Sequence, residues 1–330
     1  MKLSDVVASL ARPSGADGLF AARKLEAYGD VRLGVDAAGA PGLFFEMRAA
    51  GGPRRSFVLA SVSYAPDARC RFDGDGVERR CAVLRCTDAD TTVRDLFLRV
   101  VEAWLPTAPK TGVGVDVDDA VARLIDLFEA LTRPGQGEVL GLWGELFVIH
   151  AADEPRELLR AWRCDPFELH DFVATAVRLE VKTAVGFRRH QISLEQLRPP
   201  AGDRLIVASI VTKPSARGMS VDDLYRSIVA VVDDDSLAFR IEQTIALTLG
   251  RRWHETTSQR YDARLAAETL SFFDGGAIPS VDPRLPPEVS HVRFSVELDS
   301  VSPLATCSFL GVGARLGLHR HTAASAAPSE

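Results

Sequence analysis

The chain has 330 residues, 46% apolar and 25% charged, with a formal net charge of −6. These values suit about two globular domains with cores of their own and exclude collagen-like, mostly disordered and disulfide-scaffold chains. No apolar run approaches the ~18 residues of a membrane helix, the first residues lack a secretory-signal layout, and the negative balance argues against indiscriminate coating of nucleic acid. The expectation is a cytoplasmic protein without membrane contact.

Residues 1–115 read as a β-rich scaffold or recognition domain. Short apolar runs at Val31–Val35, Leu43–Met47, Ser56–Ala60 and Cys81–Arg85 alternate with Gly/Pro/Asp clusters. A helix follows from Thr91 to Trp104, then a linker over 106–115. The five cysteines are odd in number and form no CxxC pair, so reduced thiols are expected and a zinc site is not.

A second domain is expected over 116–260. Its first helix, Asp118 to Leu131, carries apolar residues at helical spacing. The next, about 137–152, is apolar nearly all round, the mark of a core helix. His170–Val173 and Val177–Lys182 read as a hairpin about Ala174-Thr175-Ala176. Ser193 is placed to cap a short helix, Leu194 to Arg198. Arg204–Thr212 is a near-continuously apolar strand, hence one buried on both faces. Ser220 caps a helix reaching Val232, and another spans Asp235–Leu249. A β-rich extension is expected over 261–310, including a strand at 291–296, and a disordered tail over 311–330.

The chemistry concentrates on the hairpin. On a strand, Val177, Leu179 and Val181 face the core, while Arg178, Glu180 and Lys182 share the other face. Glu180 and Lys182 then stand ~7 Å apart along the chain. Asp171, nine residues before Glu180, can bring a second carboxylate to it. Two carboxylates, a backbone carbonyl and water suit Mg²⁺. A neighbouring lysine can orient a water and offset charge on a phosphorane-like transition state. The acid-x-lysine tripeptide alone has little weight, since a chain with five lysines meets it by chance; the alternating strand and Asp171 add weight. Glu145, inside the apolar helix, needs a partner, a metal or an exposed polar stripe. Its face also holds Glu138 and Gly141, and Gly141 with Gly144 permits close approach of another group.

The order Gly-Leu-Trp-Gly-Glu, His-Asp-Phe, Leu-Glu-Val-Lys-Thr and His-Gln-Ile-Ser-Leu-Glu-Gln-Leu resembles the PD-(D/E)XK nuclease superfamily. More narrowly, it is similar to bacterial PD-(D/E)XK motif proteins encoded among restriction and phage-defence genes. The resemblance covers about 137–213, with His170 in the place of the motif proline. It implies an α/β (α+β) fold: a restriction-endonuclease-like core, its mixed central sheet flanked by helices, plus the β-rich N-terminal domain. It also implies Glu145 as the first-helix acid and a further candidate metal ligand, Asp171 and Glu180 with the Val181 carbonyl as metal ligands, and Lys182 as the catalytic lysine. Gln196 takes the place of the glutamine many such nucleases carry on the following helix. Mg²⁺, with Mn²⁺ as a substitute, is the implied cofactor. ATPase or helicase subunits of a defence system are the implied partners.

Between Arg188 and Arg217 six cations stand against two acids. Arginine forks suit phosphates, so Arg188, Arg189, His190, Ser193 and Arg198 are candidate contacts to double-stranded DNA. Cutting both strands would need a dimer or two encounters. The expectation is a Mg²⁺-dependent endonuclease subunit. The alternatives are a silent nuclease-fold subunit bridging DNA and ATPases, and a binding protein with a chance motif.

Overall fold

The structure, a computed structural model, describes residues 2–14, 18–47, 56–58, 61–74, 77–108, 138–163, 168–281 and 292–304, with Val121, Leu124 and Phe128. Most of the expected linker, most of the helix at 118–131, Cys164, Cys307 and the tail at 311–330 lie outside these residues. Cα packing separates two units: 1–134 with 238–246, and 135–237 with 247–330.

The first unit begins with helix α1 (Leu3–Ala8). Its sheet comprises β1 (Leu19–Lys24), β2 (Val31–Val35), β3 (Pro41–Glu46), β4 (Phe57–Val58), β5 (Val62–Phe72) and β6 (Glu78–Cys86), in the order β1-β2-β3-β6-β5-β4. A further parallel pairing of β1 with β5, Leu19 opposite Arg71 and Phe20 opposite Phe72, closes it into a ring. This covers the outer edge of β1 over two residues, and Phe20, Phe44, Cys70, Phe72, Cys81 and Val83 form a core cluster. Cys70, Cys81 and Cys86 are free and buried. Helix α2 (Thr91–Trp104) starts where the Asp90 carboxylate accepts the Thr92 N–H, and it buries Phe97, Val100, Val101 and Trp104. Val121, Leu124 and Phe128 are helical and buried, with Phe128 stacked on Phe97 at 5.4 Å.

The second unit carries the motifs. Helix α3 (Val139–His150) is buried along most of its length, as its all-round apolar sequence requires, and α4 (Pro155–Ala161) follows. The central sheet has the order β13-β10-β8-β7, formed by β7 (Phe172–Ala174), β8 (Val177–Val185), β10 (Arg204–Thr212) and β13 (Ser271–Asp274). β8 and β10 are parallel; the outer pairs are antiparallel. β9 (Arg189–Ser193) pairs with β14 (Arg293–Glu297), and β11 (Pro214–Ser220) with β12 (Arg260–Tyr261). Helix α5 (Val221–Val232) opens with a Ser220–Asp223 capping box. Helix α6 (Asp235–Leu249) comes next; its residues 238–246 pack with the first unit. This mixed sheet with flanking helices is an α+β, restriction-endonuclease-like arrangement. Among the described residues no helix is long and apolar enough to cross a membrane.

Two local expectations change. Leu194–Arg198 is a hydrogen-bonded turn over 194–197 rather than a helix. Pro199 and Pro200 follow at once; a proline supplies no N–H and turns the preceding residue out of the helical region. His170 and Asp171 precede β7 instead of lying in it. The Asp171 side chain, not a backbone carbonyl, accepts the Val181 N–H at 2.8 Å, replacing a ladder bond.

Candidate active site

Gly144 sets the distance between α3 and β8. A Cβ there would stand 1.8 Å from the Thr183 Oγ1, so only glycine lets the helix lie this close to the strand. Burial raises the pKa of Asp171 and of Glu180, and Glu145, the next residue of α3, lies close enough for its charge to raise both further. Gly141, one turn earlier, meets nothing within 4 Å and borders open space.

The hairpin register does the rest. Phe172 stands opposite Leu179, so one further step sets Asp171 opposite Glu180. A strand residue's N–H and C=O open on the same edge. The Asp171 carboxylate meets the Val181 N–H, and the Val181 carbonyl therefore opens on the Asp171 side.

Glu180 is 3% exposed. Its Oε1 receives the Lys182 ammonium at 2.7 Å and the Gln196 Nε2 at 2.5 Å. Its Oε2 is buried and has no hydrogen-bond partner among the described residues. The Gln196 Oε1 accepts from Lys182 Nζ at 3.2 Å and from the Ser193 N–H at 3.1 Å, while Ser193 Oγ accepts the Gln196 N–H. Gln196 thus ties Glu180 to Lys182. His170 contributes Nε2, 2.9 Å from the Gln196 carbonyl.

Glu145 has a partner that the sequence alone did not reveal. Arg163 donates Nη2 to Oε1 at 2.8 Å and Nε to Oε2 at 3.2 Å, and the Trp162 indole donates to Oε2 at 2.7 Å. The Arg163 Nε also stands 3.4 Å from Asp171 Oδ1. The signal was available: a carboxylate in an apolar helix demands a cation, and between Glu145 and Asp171 the arginines are Arg156, Arg160 and Arg163.

Burial, then repulsion from Glu145 and Glu180, raises the Asp171 pKa well above the usual carboxylate range, against the pull of Arg163 and the Val181 amide. Burial also raises that of Glu180, with Lys182 opposing. For Arg163 burial disfavours the charge, but Glu145, Asp171 and Glu180 outweigh it and raise the pKa. Three buried carboxylates, Glu145, Asp171 and Glu180, here share two cations, Arg163 and Lys182. Two carboxylates and a carbonyl are donors of the kind a hard divalent cation takes, and the unpartnered Glu180 Oε2 fits that use. Among the described residues no three His, Cys, Asp or Glu side chains are grouped to hold a metal ion, so backbone and water would complete the shell.

Over residues 10–299 the sequence matches the family described as "Putative PD-(D/E)XK family member, (DUF4420)". The chain belongs to that PD-(D/E)XK family. No curated protein and no solved structure matches it. Glu180-Val181-Lys182, the strand segment just described, has the acid-x-lysine spelling that the PD-(D/E)XK name contains.

The five basic-segment candidates of this PD-(D/E)XK protein divide. Arg188 is turned inward: it donates to the Ser209 carbonyl at 3.0 Å, to Ser209 Oγ at 2.8 Å and to the Thr269 carbonyl at 2.5 Å. His190 is buried on β9 with Nε2 2.6 Å from Ser209 Oγ. Burial first, then Arg188 and Lys182, lowers its pKa to about 4, so it is neutral at pH 7. Ser193 is engaged with Gln196. Arg189 is exposed and paired with Glu297. Arg198 is exposed, two residues beyond Gln196. A cleft of about 500 Å³ opens beside the site, lined by Lys182, Gly141, Val185, Phe187 and Arg189 among others.

Proposed function

We propose that this chain hydrolyses DNA phosphodiester bonds as a Mg²⁺-dependent endonuclease. The observation that carries the reading is Glu180: one oxygen is bound to Lys182 and Gln196, the other is buried and unpartnered, and Asp171 lies opposite in the hairpin register. Asp171, Glu180 and the Val181 carbonyl would hold Mg²⁺ or Mn²⁺. Such a cation polarises a phosphate and lowers the pKa of water. Glu145 in this reading anchors Arg163, and through it Asp171.

The chain's own groups have defined tasks. Lys182 has three donors and uses two, on Glu180 and Gln196. The third is left to orient the attacking water and to meet charge growing on the phosphate oxygens. Gln196 holds the ammonium at that position. The exposed Arg198 and Arg189 would supply backbone phosphate contacts, so binding should weaken steeply with salt.

Likeness to motif proteins encoded among restriction and phage-defence genes supports a role as a subunit in bacterial antiviral defence, working in the cytoplasm with ATPase or helicase partners. A dimer would supply the second cut of a duplex. One observation favours a non-cutting scaffold instead: the Arg163 Nε, 3.4 Å from Asp171, brings a fixed cation to one of the two carboxylates.

The deciding experiment is nicking of supercoiled plasmid by the purified chain in Mg²⁺, in Mn²⁺ and in a chelator. Cutting that needs the metal and vanishes in Lys182→Ala, with DNA binding retained, supports the nuclease. Binding without nicking in either metal, with partners added, favours the scaffold.

A further inference from the structure

Phe187 has no part in the hydrolytic chemistry, yet it borders the cleft that contains Lys182. It lies at the tip between β8 and β9 and is 83% exposed. Scattered exposed apolar residues are ordinary. This one differs in how firmly its backbone is held. Gly186, at φ +85° with open space around it, turns the chain, and its N–H donates to the Thr212 carbonyl at 3.2 Å. Phe187 closes two short bonds of its own: its N–H to the Val185 carbonyl at 3.1 Å, and its carbonyl to the Arg189 N–H at 2.8 Å. Arg188, the next residue, is pinned inward on Ser209 and Thr269. The ring therefore stands in water on a tip whose backbone is already held, which lowers the cost of ordering this segment on binding. Val185 beside it is 50% exposed.

We infer that Phe187 is a stacking platform for one unpaired nucleobase next to the phosphodiester that meets Lys182. The inference rests on the hydrolytic reading and narrows its substrate to nucleic acid carrying an unpaired nucleotide at the cut. Both faces of a base inside a duplex are covered by its neighbours, so within a duplex a base must leave the stack to offer a face to the ring. Stacking on an aromatic tolerates any base, because every base has a π-face. The cleft volume is in the range that takes a small ligand. It is apolar toward Val185 and Phe187, and its charged lining is Lys182 and Arg189, paired with Glu180 and Glu297, together with Glu138; a base would meet the apolar part and its phosphate the Lys182 ammonium.

The test uses the full chain in a chelator, where no cutting occurs. The probe is a duplex bearing one unpaired 2-aminopurine; its control carries an abasic sugar at that position. Wild type should quench the fluorophore and bind the base-containing probe roughly 5- to 100-fold tighter than the abasic one. Phe187→Ala should lose that preference while keeping the abasic affinity. Phe187→Trp should retain it. A Phe187→Ala protein that still prefers the base, in a chain that cuts DNA with Mg²⁺, overturns this inference alone. A wild type that neither binds nor cuts any of these probes overturns the hydrolytic reading and this one with it.

Discussion

Arg163 grips Glu145 at two points, Nη2 on one carboxylate oxygen and Nε on the other, with both side chains almost wholly out of water. Removing one partner of such a pair leaves a buried charge uncompensated, at a cost of about 3–5 kcal/mol. Arg163→Met alone should lose roughly that much in urea unfolding. The double variant Glu145→Leu with Arg163→Met should recover part of it, because the Glu145 charge goes with its partner, while Asp171 still loses its nearby cation and the Trp162 indole its acceptor. Additive losses across the cycle would show that the two residues act independently.

Asp171 and Glu180 make the metal-free site unfavourable at neutral pH. Both have pKa values raised on folding, chiefly by burial. A raised carboxylate contributes stability that is full below its unfolded pKa and lost as pH rises through the folded one. Asp171→Asn removes that loss and can still accept the Val181 N–H. Its Tm in chelator at pH 7.5 should exceed that of wild type, by roughly 2–4 °C for each kcal/mol relieved. Mg²⁺ should raise the wild-type Tm and leave the variant's unchanged.

The helix–strand contact has its own test. Alanine favours a helix over glycine by about 1 kcal/mol, yet a Cβ at position 144 meets Thr183 Oγ1 at 1.8 Å. Gly144→Ala should therefore destabilise, by roughly 1–3 kcal/mol. Thr183 Oγ1 is buried and makes no hydrogen bond among the described residues, so Thr183→Ala forfeits none there. The Gly144→Ala, Thr183→Ala double variant should regain part of the loss in thermal unfolding.

His190 sets an acid limit. Its pKa falls from 6.5 to about 4 on folding. The stability it contributes is full above about 6.5 and is lost as pH falls toward 4. Wild type should lose about 3 kcal/mol more than His190→Gln between pH 7 and pH 4. Parallel stability curves for the two proteins would contradict a buried neutral imidazole.

Elements whose local pattern was unopposed were legible in the sequence. Arg204–Thr212, Thr91–Trp104 and Asp235–Leu249 have the ends their apolar patterns predict. Alternation placed Glu180 and Lys182 on one face, and hairpin spacing placed Asp171 before them. What escaped was non-local. The β1–β5 pairing that closes the first sheet joins residues some fifty positions apart, and no periodicity encodes it. Arg163 follows a helix and has no pattern of its own; only the demand of a buried Glu145 points to it. His190 looks like a loop histidine in sequence, but β14, about a hundred residues later, pairs with its strand. Gln196 keeps its position near Lys182 although Pro199 cuts the expected helix to a turn.

The account rests on Asp171 and Glu180 forming one cation site, and calorimetric titration of the metal-free chain with Mg²⁺ tests this most directly. Wild type should bind one ion, Glu180→Ala and Asp171→Ala should bind none, and Lys182→Ala should still bind. Undiminished Mg²⁺ binding by Glu180→Ala would contradict the account.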